Sequence, residues 1–365
     1  MKTELCERFG IDVPIFGFSH AVEVVSAVTN AGGYGVYGAT RRLAGEITDE
    51  VNAIRAAVGD RPFGLDLVIP NKVPEKNDRD ELEKMVPDAH RSFVEGIEAK
   101  YSVPKPSEPG MRTRFIRSEE IQDEQIAAVA ASDVNMVALG IGCPPEVIEI
   151  MKAKGKTTVA LVGQERHAAR ALEAGVDLLV AQGYDAGGHT GQVGTFSLVP
   201  RIVDMAGNVP VLAAGGVATG RHIAAALALG AQGVWIGTAF LMTEEYKTHL
   251  SPGELAALIN AQTTDTVISR AESGKPFRQT RSAWSEEWAT PDAPQPLSHP
   301  LHDVLVGDIL GAIIEHDIRP LQHYGAGQGI GWFDTLRPVK EVMDSLVRDG
   351  DAALARFGQL KGVAA

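Results

Sequence analysis

Val176-Asp177-Leu178-Leu179-Val180-Ala181-Gln182-Gly183-Tyr184-Asp185-Ala186-Gly187-Gly188-His189-Thr190-Gly191 is the stretch that decides how this chain is read. Its start, Val176 to Val180, reads as a short buried strand. The run stops at a glycine cluster holding one imidazole. Glycines let a backbone lie close to a flat or phosphorylated ligand because no Cβ stands in the way. Histidine is the side chain best placed to move a proton near neutral pH. The stretch therefore predicts a strand opening into a binding loop, with His189 as the candidate catalytic base. It reads equally as a tight turn whose histidine caps a carbonyl, and the motif alone leaves both open.

Working outward, similar short apolar runs recur on both sides. Toward the N-terminus they are Thr157 to Val162, Asn135 to Leu139, Pro62 to Val68, Ala31 to Gly38 and Pro14 to Phe18. Toward the C-terminus they are Val209 to Ala213 and Gly233 to Ile236. Helical spacing fills most of the gaps: Ala21 to Asn30, Gly45 to Val58, Ile121 to Ser132, Glu146 to Lys154, Glu165 to Ala174, Pro200 to Ala206 and Arg221 to Leu229. Strands alternating with helices indicate a parallel sheet. Eight of them over residues 1–240 predict an α/β fold, a (β/α)8 TIM barrel. A doubly wound open sheet is the runner-up, but no GxGxxG follows the first strand.

Two stretches break the rhythm. Residues 71–125 form a charged, proline-containing insertion, helical around Lys76 to Lys100, that reads as a lid, a binding loop or a solvated surface excursion. Residues 241–329 are expected to form a smaller second lobe over the C-terminal mouth of the barrel, with helices at Tyr246 to Gln262 and His302 to His316. Residues 330–365, including an amphipathic helix pair from Arg337 to Leu360, are expected to pack back on the barrel.

Composition narrows the function. Of 365 residues, 44% are hydrophobic and 22% charged, ordinary for a soluble globular protein. The formal net charge of -13 argues against nucleic acid as a partner. Cys6 and Cys143 suggest no disulfide framework and no metal-ligand spacing, so no metal is expected. No apolar run approaches the roughly 18 residues of a membrane span. A cytoplasmic protein acting on a small-molecule substrate follows, with oligomeric state left open.

In (β/α)8 enzymes the site lies at the C-terminal ends of the strands. The candidate ligand-binding residues are therefore Phe16, Gly17, Phe18, Asp66, Gly183, Gly187 and Gly188. Gly215, Gly216, Gly237 and Thr238 join them at the seventh and eighth strand ends, where barrels commonly hold a phosphate. Arg278 and Arg281 are placed at the mouth, either to meet an anionic substrate or as ordinary surface cations.

Ala181 to Gly191, Val211 to Gly220 and Gly233 to Phe240 together resemble the nitronate monooxygenase (2-nitropropane dioxygenase-like) family. Thr29 to Gly35, Pro62 to Leu67, Gly327-Gln328 and Asp334 to Val342 are similar to it as well. The resemblance implies a barrel oxidoreductase with FMN bound noncovalently at the strand ends. Its phosphate would lie on Gly215, Gly216, Gly237 and Thr238, with Gln328 near the flavin and His189 beside the isoalloxazine. The implied reaction is oxidation of alkyl nitronates with O2. The same pattern also covers NAD(P)H-dependent quinone and enoyl (CoA/ACP) reductases. In this chain Asp66 stands where the family usually has Asn. Gly140 stands where many nitronate oxidisers carry a histidine, and Gly140-Ile141-Gly142 shifts some weight toward a reductase.

Overall fold

The computed structural model describes residues 1–70 and 72–361. Eight parallel strands close into a barrel in the order β1-β2-β3-β4-β5-β6-β8-β9. These are β1 (Ile15–Ser19), β2 (Tyr34–Gly38), β3 (Gly64–Val68), β4 (Met136–Gly140), β5 (Thr157–Val162) and β6 (Leu178–Gln182), then β8 (Val211–Ala214) and β9 (Gly233–Ile236). Between β6 and β8 comes β7 (Gly188–His189), which leaves the barrel and pairs with β11 (Phe277–Thr280), itself paired with β10 (Thr266–Ser269). The expected (β/α)8 TIM barrel is thus present.

Alternation along each strand explains the continuous apolar runs, because both faces are covered. One set, including Phe16, Val36, Ala138, Val180 and Trp235, fills the barrel interior. The other set, including Leu65, Val137, Leu179 and Val234, meets the surrounding helices. The N-terminal helix Glu4–Phe9 adds Leu5, Cys6 and Phe9 to the interior set. The Phe9 ring stands edge-on to Phe16 and Tyr34 at 5.4 and 5.3 Å, closing the N-terminal end of the barrel.

The insertion is not a free excursion. Its helices Arg79–Met85 and Asp88–Tyr101 pack on helix Leu301–Glu315. Val94 and Ile97 share one apolar cluster with Trp284, Trp288, Ile309 and Ile313. Lys76 to Lys100 is split into two helices, with Val86 and Pro87 in extended backbone between them. Further on, the expected helix Tyr246 to Gln262 shortens to Pro252–Ile259, started by a Ser251–Glu254 capping box. The expected C-terminal pair is one helix, Val339–Lys361. Gly350 does not break it: the helix crosses Gly220–Ala228 so closely that a Cβ on Gly220 would fall 2.0 Å from the Gly350 nitrogen. No described helix is long and apolar enough to cross a membrane.

Candidate active site

The loop after β6 is held rigidly. The Gly183 nitrogen donates to the Ala214 carbonyl (3.0 Å), and the Thr190 hydroxyl donates to the Gly183 carbonyl (2.9 Å). Asp185 accepts from the Thr195 nitrogen (3.0 Å), which starts the helix Thr195–Ala206 five residues earlier than expected. Gln182 Nε2 donates to the His189 carbonyl (2.7 Å). Buried Arg278 donates to the Tyr184 carbonyl at 3.0 and 3.2 Å and lies over the Tyr184 ring. Arg278 is therefore a brace for the loop and not a substrate contact.

His189 sits in β7 opposite Phe277 of β11. Its Nδ1 lies 3.1 Å from the Pro276 carbonyl. A carbonyl only accepts, so Nδ1 carries the proton and Nε2 keeps a lone pair. Nε2 makes no hydrogen bond among the described residues. The carbonyl-capping reading of this histidine is thus seen at Nδ1, and Nε2 is left without a partner among the described residues. Burial, ahead of the fields of Arg112, Lys275 and Arg117, lowers its pKa to about 4. The imidazole is neutral at physiological pH. As the candidate base it would give kcat/KM an acid limb near pH 4 instead of near 6.5. A limb near 6.5 that moved on substitution of His189 would contradict this environment.

Three bare positions surround the mouth. A Cβ on Gly140, Gly188 or Gly237 would meet nothing closer than 3.4, 3.7 and 3.8 Å respectively. The Phe18 ring borders Gly237 and stacks on Trp235, with centroids 5.9 Å apart and an interplanar angle of 25°. Asp66 points inward at the level of Gly38 and Ala138. It is buried, and its Oδ2 has no hydrogen-bond partner among the described residues. That oxygen lies 4.0 Å from where a Cβ on Gly140 would stand. Burial alone raises its pKa to about 7. An unpartnered buried carboxyl is costly and calls for a ligand atom. An open mouth, an aromatic floor and one orphaned polar atom fit a flat heterocycle with a hydrogen-bonding edge.

The expected phosphate residues converge on the β8–β9 side. Gly215 and Gly216 have φ of 95° and 73°, a left-handed turn that glycine alone enters without strain. The turn at residues 326–329 closes over them. The Gly327 nitrogen donates to Thr238 Oγ1 (3.0 Å), and the Gln328 nitrogen donates to the Asp185 carbonyl (2.9 Å). A Cβ on Gly187 would fall 2.6 Å from the Gly327 nitrogen, so Gly187 serves close packing of that turn. Gly183 plays the same part against Thr195.

Phe16 and Gly17 are corrections. The Phe16 ring lies in the lower barrel layer, stacked on Tyr34 at 5.0 Å beneath Phe18, and does not reach the mouth. Gly17 faces outward, where a Cβ would fall 2.8 Å from Phe240 and 2.9 Å from Val28. Its role is tight strand–helix packing.

Sequence reasoning missed a cationic cluster built by residues of the insertion, of the segment that follows β9 and of the loop after β2. Asp303 binds Arg41 (2.5 Å) and Arg112 (3.2 Å), and Glu272 binds Arg112 and His323. Arg117 and Lys275 lie within the same electrostatic field. A cavity of about 430 Å³ opens beside them, lined by Pro70, Lys72, Ile141, Arg270, Lys275 and His299 among others. The only signal was the arginine-dense run Arg112-Thr113-Arg114-Phe115-Ile116-Arg117, which reads as a solvated surface until its partners are known. Among the described residues no group of three or more His, Cys, Asp or Glu side chains could hold a metal ion.

A rigid loop, a neutral imidazole and an open mouth on a closed barrel make up an enzyme site, and comparison with known proteins gives its class, an oxidoreductase. The chain belongs to the nitronate monooxygenase family, whose profile matches residues 2–349. Rv1533 of Mycobacterium tuberculosis, provisionally named a monooxygenase, is 38% identical over 378 aligned positions covering 100% of this chain and 99% of its own. Among solved structures, the nitroalkane oxidase of Streptomyces ansochromogenes is 26% identical with a TM-score of 0.81, over 97% of this chain and 99% of its own. FabK of Thermotoga maritima is 25% identical with a TM-score of 0.75, over 99% of each chain.

Proposed function

We propose that this enzyme binds FMN across the barrel mouth and oxidises small nitro compounds, as their nitronates, with O2 as the electron acceptor. The observation that carries the reading is the His189 imidazole, fixed through Nδ1 with Nε2 free beside the glycine-lined mouth. A lone pair at Nε2 suits removal of a proton from the carbon next to a nitro group, because that atom accepts and does not donate. The family name and the likeness to a nitroalkane oxidase support the same chemistry.

Bound FMN would supply the electron acceptor for the carbanion-like substrate and the route to oxygen. The chain's own residues would do the rest. Gly215, Gly216, Gly237, Thr238 and Gln328 would hold the phosphate end. Phe18 would support the ring, and Gly140 and Gly188 would leave room for it. Asp66, neutral for part of the time near pH 7, would hydrogen-bond the ring's polar edge. His189 would hold or take the substrate proton at Nε2. Both cysteines are free and Cys6 is buried, which fits a reducing compartment, and we place the protein in the cytoplasm.

One observation favours a second reading. With Gly140 at the end of β4 and no histidine there, the mouth resembles that expected of an NAD(P)H-dependent quinone or enoyl reductase. Anaerobic mixing of the FMN-loaded protein with NADH, NADPH, ethylnitronate and propionate 3-nitronate separates the two. Bleaching by a nitronate and not by the nicotinamides is expected. Bleaching by NADH or NADPH alone would replace the proposal with the reductase reading, and failure to bind FMN would remove both.

A further inference from the structure

Ile141 is held in a backbone conformation that its side chain resists. Among the described residues three non-glycine positions have positive φ: Ser102, Ile141 and Asp317, at 53°, 58° and 49°. Ser102 ends the helix Asp88–Tyr101 and Asp317 follows the helix Leu301–Glu315, places where a left-handed residue is ordinary. Of the three, only Ile141 is β-branched, and a branched Cβ crowds the carbonyl in that region. The turn explains the backbone. Gly140 ends β4 with its carbonyl accepting from the Ile69 nitrogen (3.2 Å). Pro144 starts the next helix, Pro145–Ala153, with its carbonyl accepting from the Val147 nitrogen (3.1 Å). The chain must change direction between these two anchors. The turn does not explain the residue. Glycine stands on both sides, at 140 and 142, and would enter the same region without strain.

Core packing does not explain it either. The Ile141 side chain is 36% exposed and belongs to none of the apolar clusters among the described residues. It lines the cavity of about 430 Å³, together with Pro70 and Lys72, which follow β3, and with Arg270, Lys275 and His299. That cavity adjoins the mouth at two points along the chain. Gly140, the residue before Ile141, is one of the bare positions of the mouth, and its missing Cβ would stand 4.0 Å from Asp66 Oδ2. Pro276, the residue after Lys275, supplies the carbonyl that holds His189 Nδ1. Strain that persists at such a place is kept for what the side chain does there.

We propose that Ile141 is a specificity-determining residue, a gauge whose side chain limits the length of the substituent carried on the reacting carbon. The inference rests on the mouth being the active site, as in the proposed function. A short substituent lies against the Ile141 methyl groups and gains apolar contact. A longer one collides with them, because the hydrogen bonds at Gly140 and Pro144 keep the turn from swinging aside.

The test is calorimetric titration of the FMN-loaded protein with acetamide, butyramide, hexanamide and octanamide. Their planar, neutral heads copy the shape of a nitro group, and they have no acidic carbon to oxidise. Affinity in the parent is expected to rise along the series and then fall. Ile141→Gly should move the maximum to a longer chain and raise the affinity ratio of octanamide to butyramide about tenfold or more. Ile141→Asn suits the same backbone and keeps a branched side chain only a little smaller, so it should hold the parent's maximum. Both variants should be no less resistant to heat than the parent and should keep its FMN affinity. Steady-state kinetics give a second arm: the kcat/KM ratio of hexylnitronate to ethylnitronate should rise about tenfold in Ile141→Gly and stay unchanged in Ile141→Asn. An unmoved maximum in Ile141→Gly, an equal shift in both variants, binding of none of the amides, or a marked loss of heat resistance or of FMN would overturn the proposal. Titration needs no turnover. An enzyme that oxidises no nitronate yet shows the shifted maximum would refute the proposed reaction and leave the gauge standing, and oxidation with an unshifted maximum would do the reverse.

Discussion

Replacing His189 with asparagine should lower kcat/KM for a neutral nitroalkane by about 10²–10⁴-fold, the usual contribution of a positioned general base. The loop should survive the change. Its shape depends on the His189 carbonyl, bound by Gln182, on the backbone pairing with Phe277, and on the Arg278 brace, none of which uses the imidazole. FMN content and thermal resistance should therefore match the parent. The loss should be much smaller for a preformed nitronate, which has already given up its proton. Unchanged turnover of the nitroalkane, or equal losses on both substrates, would show that Nε2 does not take that proton.

The second large effect concerns stability. The Asp66 carboxyl has an ordinary value of 3.8, raised to about 7 by burial in the fold. The folded chain therefore holds this proton over a range where the unfolded chain has released it. Asp66 costs nothing below about pH 3.8. Its cost grows as the pH rises, and it levels off above about pH 7, at on the order of 4 kcal/mol. Asp66→Asn removes that slope. Without flavin, its advantage over the parent should widen steadily between pH 4.5 and pH 8 in thermal or urea unfolding. Saturating FMN should narrow the advantage, because a ligand atom on Oδ2 would relieve the orphaned group. A difference between variant and parent that does not change with pH would show that the carboxyl is not isolated as described.

The strands were legible because the signal is local. Each is a short apolar run punctuated by glycine or proline, and the boundaries shifted by three residues at most, as from Ala31–Gly38 to Tyr34–Gly38. Phe16 and Gly17 were misplaced for an equally local reason. Adjacent residues on a strand face opposite sides, and the barrel closes at one end only, so proximity to a strand end is not access to the mouth. Phe18, two residues beyond Phe16 on the same face, is the one that arrives there. The insertion was unreadable because Val94 and Ile97 acquire meaning only against Trp288 and Ile309, far along the chain.

By itself, the amino-acid order determined the closed ring of eight strands, the glycines at their ends and the single imidazole beside them, since periodicity and turn chemistry act over a few residues. Folding in three dimensions decided what surrounds each of those groups. It set a carbonyl 87 residues away on His189 Nδ1, left Asp66 Oδ2 without a partner among the described residues, and gathered Arg41, Arg112, Glu272, Asp303 and His323 into one ion-pair cluster. Protonation state and charge balance depend on what surrounds a side chain from every direction, and most of those neighbours are distant in the chain.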